Sequence, residues 1–72
     1  MIAAKIQTED MPNDELLKRE AWCSENFGPE ARFRVYINDL TPWRAEYSAV
    51  TSGWWWYFAR EEYAVLFTLR WA

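Results

Sequence analysis

Five aromatic residues stand in a row at Trp54, Trp55, Trp56, Tyr57 and Phe58. Successive side chains of a strand point to opposite faces, so this run cannot be buried on one side of a sheet. If Trp54, Trp56 and Phe58 enter the core, Trp55 and Tyr57 must go to the other face. Six Trp, four Tyr and four Phe make up 19% of the chain. Each ring can bury roughly 150–250 Å². A chain of 72 residues cannot easily enclose that much, so some rings must lie at the surface, where large apolar patches mark interfaces.

The same length makes a single domain, residues 1–72, whose lone core supplies only about 3–5 kcal/mol. Scaffolds of this size usually add a staple. Cys23 is the one cysteine and there is no histidine, so neither an intrachain disulfide nor a zinc or iron site is expected. No cofactor is expected for folding. An unusually heavy core and oligomerisation, with a homodimer as the simplest form, are the remaining routes to stability.

Hydrophobic periodicity predicts the elements. Residues 2–8 alternate weakly, with Ile2, Ala4 and Ile6 on one face, and predict a first strand. Asn13 is the expected N-cap of a helix over 14–27, with Asp14 and Glu15 at its positive end. Gly28 and Pro29 stop it. Leu16, Cys23 and Phe27 form its apolar stripe, flanked by Leu17 and Ala21. Glu20 falls inside the stripe, either at its wet edge or paired with an arginine. Trp22 lies on the far side and is a candidate partner contact. Residues 31–38 alternate cleanly, with Phe33, Val35 and Ile37 opposite Arg32, Arg34 and Tyr36, and predict a second strand. Residues 43–50 and 54–59 predict a hairpin about Thr51-Ser52-Gly53. Residues 60–72 predict a helix, or a helix that ends in a short strand. The order β-α-β-β-β-α defines an α+β fold: an antiparallel sheet with two helices on one face. A ferredoxin-like variant is the alternative.

No nucleophile–base pair can be assembled without histidine, and Gly28 and Gly53 cannot build a phosphate loop. The acidic pairs Glu61-Glu62 and Glu9-Asp10 read as solvated acids flanking elements, and Cys23 reads as core. The chain is not expected to be an enzyme. The sheet face left over carries Arg32, Arg34, Tyr36, Arg44, Glu46, Trp55 and Tyr57. Trp, Tyr and Arg dominate protein-binding hot spots, so a protein partner, foreign or a second copy, is the first expectation. Aromatics beside arginine also stack single-stranded bases. The net charge of −3 disfavours nucleic acid, because phosphate binding needs a basic field. The third reading is cross-strand pairing that only stabilises the sheet. No segment is long and apolar enough to span a membrane or serve as a secretion signal. With a free Cys23, a reducing cytoplasm is expected.

The acidic pair followed by Tyr63-Ala64-Val65-Leu66-Phe67-Thr68-Leu69-Arg70-Trp71, after an aromatic strand, resembles the last helix of small tailed-bacteriophage proteins. Trp22-Cys23-Ser24-Glu25-Asn26-Phe27-Gly28 resembles the end of their first helix. The resemblance covers about a third of the chain. It implies a phage origin, a compact α+β fold and no particular activity or site residue.

Overall fold

The aromatic run becomes the central strand of a three-stranded sheet. A computed structural model describes residues 1–71; Ala72, the last residue of the expected C-terminal helix, lies outside the described residues. The elements are β1 (Ala4–Glu9), α1 (Asn13–Phe27), a single 3-10 turn (Arg34–Tyr36), β2 (Trp43–Ser48), β3 (Gly53–Phe58) and α2 (Glu61–Trp71). The sheet is antiparallel, in the order β1-β3-β2. The fold is therefore α+β, with both helices on one sheet face. α2 stays helical through Trp71, so the ferredoxin-like ending is not adopted.

Alternation divides the rings as expected. Trp43, Ala45, Trp56 and Phe58 face the helices and close on Cys23, Ala64 and Phe67. The Trp56 ring stacks on Trp43 at 6.3 Å and meets Phe67 at 4.7 Å. Buried indoles need a partner for their N–H. Trp56 Nε1 donates to Thr8 Oγ1 at 2.9 Å, and Trp43 Nε1 donates to the Gly28 carbonyl at 2.8 Å. Gly28 can offer that carbonyl because its φ of 120° turns the chain sharply out of α1, a conformation that favours glycine.

Three local expectations are corrected. Asn13 is not the N-cap but the first helical residue. Pro12 precedes it with extended backbone, and its carbonyl accepts the Leu16 N–H at 3.0 Å. Trp22 is half-buried against the core and does not stand free on the far side of α1. α2 packs beside α1 on the same sheet face, so α1 has two apolar neighbours, and Trp22 sits edge-on to Phe27 and Trp71 between them.

The third correction is the largest. Residues 31–38 do not form a strand. Glu30 bridges Trp43 in parallel, and the Ala31 N–H donates to the Trp43 carbonyl at 2.7 Å. The Glu30 carboxylate accepts the Ala45 N–H at 3.0 Å. These two contacts close the outer edge of β2, and a further strand has nowhere to pair there. The chain then crosses the outer sheet face as a strap, residues 31–41, with the 3-10 turn at its crest. Phe33 and Val35, expected in the core, are 55% and 83% exposed. Of Phe33, Val35 and Ile37 only Ile37 is buried.

Glu20 is half-buried and makes no ion pair among the described residues. Burial, and secondly the Glu30 charge, raise its carboxyl above the ordinary carboxylate range. A raised folded-state pKa means the charged form is penalised. The group's contribution to stability is then complete below the ordinary value of 4.5 and is lost as pH rises through the folded value. Glu20→Gln is therefore expected to raise the melting temperature at neutral pH and to change it little in acid. A lower melting temperature at neutral pH would show that the carboxylate is held by a favourable contact instead.

Candidate outer-face interface

The face opposite the helices is laid out by the strand register. Lys5, Tyr57 and Arg44 form one row across β1, β3 and β2, and Gln7, Trp55 and Glu46 form the next. The strap lies over the first row. Its two buried anchors, Ala31 and Ile37, pack on Tyr57. Tyr57, expected on an open face, is only 7% exposed. Trp55 stacks beside it at 6.5 Å and stays half-buried, with Lys5 Nζ 5.1 Å from its ring centre.

Charge fastens the strap to the sheet. Glu46 takes one guanidinium on each carboxylate oxygen: Arg34 Nε at 3.3 Å and Arg44 Nε at 2.7 Å. Arg34 comes from the strap and Arg44 from β2. The Arg34 guanidinium also lies 5.4 Å from the centre of the Tyr57 ring. Arg44 Nη1 donates to the Ala31 carbonyl at 3.1 Å. Exposed pairs of this kind contribute little singly; here they converge on one carboxylate and fix the position of the turn.

The ends of the strap are closed by hydrogen bonds. Tyr36 N–H donates to Phe33 and Ile37 N–H to Arg34, at 3.0 and 3.1 Å, forming the 3-10 turn. Asn38 Oδ1 accepts the N–H groups of Leu40 and Thr41. Thr41 Oγ1 donates to the Tyr36 carbonyl at 2.7 Å, and the Met1 ammonium donates to the Ile37 carbonyl. A held turn thus lifts Phe33, Val35 and Tyr36 into solvent. Phe33 and Tyr36 pack edge to face at 5.8 Å.

Of the candidate contacts read from the sequence, Arg34 and Tyr36 lie on the strap's turn and Trp55 on the sheet of this face, and Arg32 is exposed where the strap begins. Tyr57 and Arg44 lie beneath them as supports, and Trp22 belongs to the helix layer. Sequence reasoning missed Phe33, Val35 and Lys5. No local pattern marks the first two, because Phe33 and Val35 share the alternation of the buried Ala31 and Ile37.

Other chemistry is sparse. Among the described residues no cluster of His, Cys, Asp and Glu could hold a metal ion. The Cys23 thiol is fully buried, and burial first, then Glu20 and Glu30, push its pKa up to about 12. Such a thiol is protonated and unreactive at neutral pH. No helix among the described residues is long and apolar enough to cross a membrane. Comparison with known protein families, curated proteins and solved structures finds no match for the chain.

Proposed function

We propose that this domain is a non-enzymatic interaction module, phage-encoded, that binds and modulates a host or phage protein in the host cytoplasm. The observation that carries the reading is the strap: Phe33, Val35 and Tyr36 are exposed on a turn locked by hydrogen bonds and by the Arg34–Glu46 pair. A preorganised apolar turn loses little entropy when it enters a partner's pocket. Arg32 and Trp55 beside it add residue types enriched at hot spots. The resemblance to small tailed-phage proteins supports a bacterial or phage partner. A single-stranded nucleic acid fits less well. The strap covers Tyr57, and the net charge of −3 supplies no basic field for phosphates.

The test is quantitative affinity capture from bacterial lysate with the wild type and with Phe33→Ala/Tyr36→Ala. Both rings are exposed, so circular dichroism and melting should stay close to wild type. Recovery of the specific partner should fall by roughly thirtyfold, the effect of losing about 2 kcal/mol of hot-spot energy. Equal recovery by wild type and variant would sink the reading. Capture that disappears in high salt with a nucleic-acid component would favour the base-stacking alternative.

A further inference from the structure

The two edges of the sheet are finished differently. Trp43 and Ala45 of β2 turn their backbone groups outward, to Ala31 and to the Glu30 carboxylate. In an antiparallel ladder, outward and inward residues alternate. Arg44 and Glu46 therefore bond to Tyr57 and Trp55, leaving Trp54, Trp56 and Phe58 to bond across to Thr8, Ile6 and Ala4. The residues of β1 whose N–H and C=O groups point away from the sheet are then Lys5, Gln7 and Glu9. Among the described residues nothing pairs with them. The edge has neither proline nor bulge to blunt it, and such edges are templates for another strand.

We propose that this edge pairs with the β1 of a second copy, antiparallel about a two-fold axis, to make a six-stranded sheet. The side chains choose both the occupant and the register. Lys5, Gln7 and Glu9 lie on one face, and an isologous contact places like positions around the axis. With Gln7 opposite Gln7, Lys5 of each copy stands opposite Glu9 of the other, giving two opposite-charge cross-strand pairs. Neither Lys5 nor Glu9 has an ion-pair partner within the described residues of its own chain. Shifting the register so that Ile6 meets Ile6 loses both pairs. On the helix face the same edge borders a shallow apolar groove of Ile6, Ala64, Val65, Thr68 and Leu69. Val65 and Leu69 are exposed there, and the two-fold axis brings the second copy's α2 alongside to cover them. The pairing uses no residue of the strap's crest, neither Phe33 nor Val35 nor Tyr36, so the dimer does not rest on the partner assignment above.

Sedimentation equilibrium over the micromolar range tests the pairing. The wild type should be dimeric. Gln7→Pro removes the central outward N–H, which the monomer does not use, and should give a monomer with unchanged circular dichroism. Lys5→Glu and Glu9→Lys should each weaken the dimer by roughly tenfold through two like-charge contacts. The double variant Lys5→Glu/Glu9→Lys should restore it, and this arm stands even if Gln7→Pro fails to fold. A wild type that is monomeric throughout the range, or a dimer that charge reversal and exchange leave unchanged, overturns the proposal.

Discussion

Phe67→Ala is expected to cost about 3–5 kcal/mol, as much as the whole stability a core of this size supplies. Phe67 is 2% exposed and is the most deeply buried ring of α2. It touches Trp56 at 4.7 Å, Phe58 at 5.5 Å and Trp22 at 6.3 Å, reaching the sheet and α1 together. The void left by truncation cannot close easily. Trp56 is pinned by its bond to Thr8 and by stacking on Trp43, so the rings around the cavity have little room to collapse. Urea denaturation of Phe67→Ala should show a largely unfolded population before denaturant is added. Phe67→Leu, which keeps most of the volume, should lose far less. A Phe67→Ala midpoint close to wild type would mean that α2 is not docked on the sheet.

Gly53→Ala is expected to destabilise by about 3 kcal/mol, the upper end of overpacking costs. A Cβ at Gly53 would stand 2.2 Å from the Thr8 carbonyl oxygen and 3.3 Å from its carbonyl carbon. Those atoms are backbone of β1, so relief requires the strand itself to move. Gly53 opens β3 between Glu9 and Ser48, and displacement there would loosen β1 from the end that carries the Thr8 bond to Trp56. The cause is space and not dihedral strain, so serine, whose side chain starts with the same Cβ, should be no better tolerated than alanine. Denaturant midpoints for Gly53→Ala and Gly53→Ser check both statements. A wild-type midpoint for either would show that β1 and β3 do not approach so closely.

The parts of the fold that were legible in the sequence are those where one periodic pattern meets one surface. The run from Trp54 to Phe58 alternates between two faces and does so in the sheet. Leu16, Cys23 and Phe27 share a helical stripe and meet the core. Trp22 was misread because a stripe assumes a single apolar neighbour, and α1 has two. Residues 31–38 were misread because alternation says which residues share a side but not whether that side meets protein or water. Glu30 and Ala31 close the edge of β2 through contacts to Trp43 and Ala45 that no local pattern encodes. Once that edge is closed, the segment can only cross the face. The candidate site suffered the same ambiguity: Arg34 and Arg44 were read correctly as outer-face residues, but their convergence on Glu46 depends on the strap's path. Tyr57 lost its exposure for the same reason.

The account turns on that path, because the strap both buries Tyr57 and holds the apolar turn in solvent. The most direct measurement is solution NMR with a soluble paramagnetic probe. The account predicts contacts between the Ile37 methyl groups and the Tyr57 ring. It also predicts strong broadening of the Phe33 and Tyr36 ring signals by the probe, with Tyr57 protected. Phe33 and Val35 protected from the probe, in a continuous ladder of interstrand contacts over residues 32–37 and with Tyr57 broadened, would contradict it.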